Sequence, residues 1–247
     1  MKTISIALIA TMAGAAFAQD GFPISTDRPS FSDGTLIVPK GRWQIEAGYT
    51  FNDVNGTRFE TFGELLLRFH LSDRAEFRLS NVTFGRSSDI DGLLDPILGV
   101  KIKLQNGTTG KSPDLAFILQ STVPAGDRAF RIDRAQPTAK LAFYQQTDAT
   151  TGFGGNLIAS DLGIDSGRFT QYAASLYLAK ALNSKKSAFA EIYRLMPLSD
   201  GGPDANFADA GVTYLLNPRT QVDFRLGTGF DQKRDGWFFG FGLSYRF

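Results

Sequence analysis

Gly41-Arg42-Trp43-Gln44-Ile45-Glu46-Ala47-Gly48-Tyr49-Thr50-Phe51-Asn52 alternates without a break from Trp43 onward. Its odd positions (Trp43, Ile45, Ala47, Tyr49, Phe51) are apolar or aromatic. Its even positions (Gln44, Glu46, Gly48, Thr50, Asn52) are polar or glycine. Successive side chains of a strand point to opposite faces, so a strand here has one apolar face and one wet face. A helix would scatter both sets around its circumference.

The same period recurs along the chain. Phe59, Leu65, Leu67, Phe69 and Leu71 oppose Glu60, Glu64, Arg68 and His70, and Ala75, Phe77 and Leu79 oppose Glu76, Arg78 and Ser80. Leu98, Val100, Ile102 and Leu104 oppose Gly99, Lys101 and Lys103. Val222, Phe224, Leu226 and Phe230 oppose Gln221, Asp223, Arg225, Gly227 and Gly229. Less regular candidates are Asp114–Val123, Thr138–Gln145, Gly152–Ser160, Phe169–Lys180, Ser187–Leu195 and Asn206–Leu216. With Gly236–Phe247 the expected total is about 12 strands. An even count brings both ends of a single-chain barrel to the same side of a membrane. Short connections at Ser72–Arg74, Leu182–Lys186 and Asn217–Arg219 alternate with longer polar ones at Gly85–Asp95, Pro124–Gln136 and Ser199–Ala205. The tight Asp53–Thr57 and the long Gln105–Pro113 depart from that rule.

The last stretch is the most specific. Trp237, Phe239, Phe241, Leu243, Tyr245 and Phe247 alternate with Phe238, Gly240, Gly242, Ser244 and Arg246. In a soluble sandwich this row would be a long apolar edge open to aggregation. Barrel closure removes the edge, and lipid takes the aromatic face. A strand of this kind ending on Phe247 resembles the signature that the outer-membrane assembly machinery reads, which makes that machinery an expected partner.

Composition excludes other classes. Residues 1–18 read as a signal peptide: Lys2, the apolar run Ile4–Ala16, then the small-x-small site Ala16-Phe17-Ala18, with Gln19 as the mature start. A retained N-terminal anchor is the alternative, but the run is shorter than the roughly 20 apolar residues of a spanning helix. Setting the signal aside leaves 229 of the 247 residues, with 25 basic against 25 acidic side chains. That neutrality gives no footing for a nucleic-acid partner. There is no cysteine, so neither a disulfide framework nor a thiolate metal site is available. Beyond residue 18 the longest uncharged stretches are 12 residues (Leu115–Gly126, Ala149–Ser160), too short for a transmembrane helix. The expected fold is all-β: a transmembrane antiparallel up-and-down β-barrel over residues 41–247, in a Gram-negative outer membrane.

Sorting side chains by parity gives the lumen Glu46, Arg58, Glu60, Glu64, Arg68, Glu76, Arg78, Lys101, Lys103, Lys140, Glu191, Asp209, Asp223, Arg225 and Arg246. Opposite charges can pair across neighbouring strands and fill a narrow interior, or line a path and set its selectivity. Residues 19–40, carrying Pro23, Pro29 and Pro39, do not alternate. They are expected to hang in the periplasm or lie in the lumen, with Thr26–Pro29 as a turn pinned by its Asp side chain.

Thr26-Asp27-Arg28-Pro29-Ser30-Phe31-Ser32-Asp33-Gly34, then Val38-Pro39-Lys40-Gly41 and the strand Trp43–Tyr49, resemble the opening of the outer-membrane transporter family associated with the phenol meta-degradation pathway. Asp95–Lys101 and Ala188–Tyr193 are also similar to that family's strands. The resemblance implies a barrel and a transport-like role for small hydrophobic or aromatic compounds, and no catalytic residue.

Chemistry is sparse. His70-Leu71-Ser72 echoes the His-x-Ser pair of an outer-membrane phospholipase, itself a twelve-stranded barrel. Here His70 shares the wet face with Arg68, Ser72 opens a turn, and no Ser-Asn-Gly follows. Asp89-Ile90-Asp91-Gly92 with Asp95 lacks the spacing of a calcium loop. Gly152–Gly155 does not join a strand to a helix, so no nucleotide loop is read there. Trp43, Tyr49, Phe51, Trp237 and Tyr245 read as interfacial girdles. No enzyme activity, cofactor or metal is expected. The reading is a channel, with a filled structural or surface-interaction barrel, and more remotely the phospholipase, as alternatives.

Overall fold

The computed structural model describes residues 23–54, 56–164, 167–230 and 236–247. The expected signal peptide and Gln19 lie outside the described residues. Where the alternation runs, strands form: β1 (Trp43–Val54), β2 (Thr57–Ser72), β3 (Ala75–Ser87), β4 (Asp91–Leu93), β5 (Ile97–Gln105), β6 (Asp114–Thr122), β7 (Pro137–Gln146), β8 (Thr151–Ile164), β9 (Gly167–Ala181), β10 (Lys186–Met196), β11 (Ala205–Asn217), β12 (Thr220–Gly229) and β13 (Gly236–Arg246). All pairings between them are antiparallel, and each wall strand pairs with its neighbours in sequence. β13 pairs with β1 and β2 with β3, so the sheet closes on itself as a barrel of 12 wall strands. The short β4 is the addition: it lies in the expected loop after β3 and extends the wall by pairing Leu93, Gly92 and Asp91 with Phe84, Gly85 and Arg86.

Closure is made by the two strands with the strongest alternation. Eleven residues of β1 pair in unbroken register with β13, from Gln44–Arg246 to Val54–Gly236. At the near end Phe247 N–H donates to Trp43 O (2.9 Å), and the Trp43 and Phe247 rings stack at 3.5 Å. Phe51, Trp237 and Phe239 cluster at the opposite, far end of the same seam. Both aromatic groups sit where a barrel carries its interfacial girdles.

The solvent pattern is inside out. Leu119, Leu157, Leu178 and Phe241 are more than half exposed, whereas Glu46, Glu76 and Lys101 have no exposure at all. Only a wall with hydrocarbon outside makes that arrangement favourable, since charges shun the bilayer and large apolar patches shun water.

Parity breaks inside β2 and β3, and further register shifts lie at strand ends beside Ser72, Gln105 and Asn217. Gly63 (φ 89°), Glu64 (φ 41°) and Asn81 (φ 58°) take left-handed backbone conformations, and the β1–β2 and β2–β3 registers shift beside them. One extra residue reverses every side chain beyond it. Glu60 therefore stands opposite Phe51, with the Tyr49 hydroxyl donating to it at 2.6 Å on the outer face. Arg58 stands opposite Asp53, its side chain 75% exposed at the far rim. These two expected lumen residues are corrected to the outer face. Phe59, expected to face lipid, pairs with Asn52 on the inner side and packs near Phe130.

Candidate functional site

Residues 23–40 form no strand, and their partners come from nearly every wall strand: the segment runs inside the barrel as a plug. Its prolines and short polar side chains suit it to turns rather than ladders. Its backbone N–H groups, unpaired by any sheet, must find acceptors, and inward carboxylates supply them. Glu46 accepts the N–H groups of Asp27 and Arg28 (both 3.0 Å), Glu191 those of Phe31 (2.7 Å) and Ser32 (3.0 Å), and Glu76 that of Val38 (2.9 Å). Arg68 donates to Ser25 O (3.0 Å) and Leu36 O (2.7 Å).

Two plug carboxylates meet the basic side of the lumen. Asp27 binds Arg78 (2.5 Å) and Lys101 (2.9 Å) and also accepts the local N–H of Gly34 (2.8 Å). Asp33 binds Arg78 (2.7 Å) and Lys140 (2.5 Å), and its backbone pairs with the Asn156 amide. Burial opposes the charge on Asp27, but Arg68, Lys101 and Arg78 outweigh it and hold the carboxyl well below the ordinary range. Asp33 behaves alike: Lys140 and Arg78 overcome its burial.

Arg28 points the other way. Its guanidinium bonds Glu64 (2.6 Å) and Phe241 O (3.1 Å) and stands 3.6 Å from Asp223. It fits because Gly48 and Gly242, paired across the β1–β13 seam, carry no side chain; a Cβ on either would overlap the guanidinium.

The remaining expected lumen residues are placed as follows. Arg68 bridges Glu46 (3.0 Å) and Glu76 (2.9 Å), and Lys103 pairs with Asp114. Arg225 lies 5.3 Å from the Phe238 ring centre, and its neighbours Asp209 and Asp223 are buried. Arg246 is buried and faces Pro23 O at 3.4 Å. His70 faces the plug, its Nδ1 3.1 Å from Val38 O, while Ser72 Oγ accepts Arg74 N–H in the turn. Asp95 spends its carboxylate on the N–H groups of Ala125, Gly126 and Ile132, folding the β6–β7 loop over the far end. Among the described residues no group of three or more metal-ligating side chains gathers.

Parity did not single out the ring face of the lumen. Phe31 of the plug stacks on Tyr193 (4.1 Å, 5°), and Tyr193 on Phe207 (4.8 Å, 12°). Below the stack a cavity of about 300 Å³ separates the plug from β9–β12, lined by Ser30, Ser32, Tyr177, Phe189, Thr213 and Gln221 among others. A second cavity, of about 350 Å³, lies between the plug at Pro23, Ser25 and Leu36 and the wall at Gln44 and Arg246.

Solved structures share this architecture. The COG4313 outer membrane channel from Pseudomonas putida F1 is 16% identical with a TM-score of 0.63, over 85% of this chain and 97% of that one. The NanC porin is 9% identical (TM-score 0.60; 81% and 98%), and the KdgM porin in complex with disordered oligogalacturonate 7% identical (0.57; 82% and 98%). No curated protein matches the sequence. A family model described as "Putative MetA-pathway of phenol degradation" matches residues 26–247, from the plug's Thr26 to the closing Phe247. The chain belongs to that family, and its fold is the closed β-barrel that the outer membrane channel and the two porins share.

Proposed function

We propose that this barrel passes small hydrophobic or aromatic solutes along the β9–β13 side of its lumen, without chemistry. The observation that carries the reading is the unfilled volume between the plug and β9–β12, lined by the rings of Tyr177 and Phe189, on the side of the lumen that also carries the Phe31–Tyr193–Phe207 stack. Ligand sites of this kind are mostly apolar with a few placed polar groups. Lumen charges such as Arg225 and Asp223 flank the path and set its selectivity. Lipid surrounds the outer face, and the β13 strand ending in Phe247 presents the barrel to the assembly machinery.

A second reading, a structural or surface-interaction barrel with its lumen closed, draws on the plug's own clamps at Asp27, Arg28 and Asp33. Single-channel recording in planar bilayers separates the two. Current steps that a small aromatic solute reduces support the channel; a silent wild-type protein supports the closed barrel. His70 touches the plug backbone rather than Ser72, so His70→Ala should leave phospholipid cleavage at the protein-free background. Cleavage by the wild type that disappears in the variant would overturn the non-enzymatic reading.

A further inference from the structure

We infer that Phe31 is an internal stand-in for the solute: its ring occupies a site on Tyr193 built for a planar aromatic ring bearing a hydrogen-bond donor. The inference rests on the channel reading above and deepens it by naming the ring site and the acceptor beside it.

Three observations converge. First, the stack is formed between unlike partners: Tyr193 and Phe207 are cross-strand neighbours on the wall, whereas Phe31 belongs to the plug. Parallel rings attract through area and offset stacking, with no group that only phenylalanine can supply, so any flat ring of similar size can take that face. Phe31 is half-buried, while Ser32 beside it is buried and held by Glu191 and Ser175. The ring is thus the less committed part of this stretch.

Second, the acceptor lies one step along the wall. Glu191 and Asp209 face each other across β10 and β11, and Tyr193 and Phe207 are the next inward pair. Two strand residues span about 7 Å, roughly the reach from the centre of a stacked ring through a one-carbon amine substituent and a hydrogen bond of about 2.9 Å to its acceptor. Glu191 already accepts Phe31 and Ser32 N–H groups. Asp209 is 6% exposed, and neither of its carboxylate oxygens has a hydrogen-bond partner among the described residues. A buried carboxylate without donors is costly and marks a place where a donor belongs.

Third, the site has an approach. The cavity beside β9–β12 reaches Ser30 and Ser32, the plug residues that flank Phe31. A solute ring that displaces Phe31 therefore joins this cavity to the stack. Solute and plug compete for one face, so the occupied plug weakens apparent affinity by the fraction of time Phe31 holds the site.

The test uses benzylamine, protonated at neutral pH, as the ring-plus-donor probe and cyclohexylmethylamine as its non-planar control. Binding to the folded full-length barrel is measured by equilibrium dialysis, with folding checked by heat-modifiable gel migration. Phe31→Ala should bind benzylamine about tenfold more tightly than wild type, because the internal competitor is gone. Phe31→Leu, which keeps apolar bulk without a ring, should also gain. Cyclohexylmethylamine should gain nothing. In the Phe31→Ala background, Tyr193→Leu and Asp209→Asn should each remove the gain. Equal benzylamine binding by wild type and both Phe31 variants, or equal gains for the two amines, overturns the inference. Recording current from the same proteins tells its failure apart from that of the channel reading. Current through Phe31→Ala that benzylamine leaves unchanged overturns the ring site and keeps the channel. Specific binding without current from either protein upholds the site and overturns the channel.

Discussion

At the level of single residues, one position separates the two faces of the wall from its neighbour. Phe224 lies on the outer face opposite Phe241, and Asp223 beside it points at Arg28. Phe224→Arg puts a charge in hydrocarbon and should cost about 2–4 kcal/mol in a folding titration into lipid. Asp223→Ser should leave insertion intact, because its side chain never meets lipid. Asp27 makes a different prediction. It sits among Arg68, Arg78 and Lys101, and removing one partner of a buried charge group commonly costs about 3–5 kcal/mol. Asp27→Asn should therefore loosen the plug, read as faster protease cleavage within residues 23–40 of the folded barrel. The pH dependence has a definite sign. A carboxyl held below its ordinary value stabilises fully above that value, 3.8, and loses its contribution only as pH falls further, through its value in the folded protein. Asp27's clamp should accordingly survive at pH 5, and protease cleavage there should match that at neutral pH.

Among the elements, the plug depends on what the strands omit. Gly48 and Gly242 leave the space that Arg28 fills. Gly48→Val places a branched side chain there, where the three atoms nearest its Cβ all belong to the Arg28 guanidinium; β-branched residues suit strands, so the barrel should form and the plug should be displaced, giving larger single-channel conductance than wild type. Unchanged conductance would mean that Arg28 does not anchor the plug. The same elements show where sequence reading succeeded and where it stopped. Every wall strand was visible in the period-two pattern, because one face meets lipid all along it. The face of a side chain was readable from Leu67 onward in β2, but not back across Gly63. The φ values of Gly63, Glu64 and Asn81 insert a bulge that alternation cannot register, and Arg58, Glu60 and Phe59 changed sides with it. Gly63-Glu64 before the run Leu65-Leu66-Leu67, in which neighbours cannot alternate, was the only local sign. The plug was visible as a stretch that fails to alternate, but its place was not: its partners Glu46, Arg78, Lys140, Asn156 and Glu191 are scattered over 146 positions, and only closure of the barrel gathers them. The Phe31–Tyr193 stack was hidden for the same reason.

For the molecule as a whole, the lumen divides by charge, and that division governs what remains without the plug. Arg68, Arg78, Lys101 and Lys140 occupy the β2–β7 side, while Glu191, Asp209 and Asp223 occupy β10–β12. The plug bridges the halves, offering Asp27 and Asp33 to the first and Arg28 to Asp223 on the second. The closing ladder is made by the wall itself: the β1–β13 register and the Trp43–Phe247 stack involve no plug residue, and Arg28 adds one bond to Phe241 O there. Deleting residues 23–40 should leave a barrel that still inserts and still shows heat-modifiable migration. Water, rather than protein, would then solvate the freed charges, so the penalty for unpaired buried ions does not apply. The emptied lumen should conduct steadily. Because Arg68 keeps Glu46 and Glu76, and Lys103 keeps Asp114, facing walls of opposite sign should give it little preference between cations and anions. Reversal potentials in a salt gradient measure that preference. A strongly selective current would show that one wall alone lines the path, whereas failure to insert would show that the plug is needed for closure.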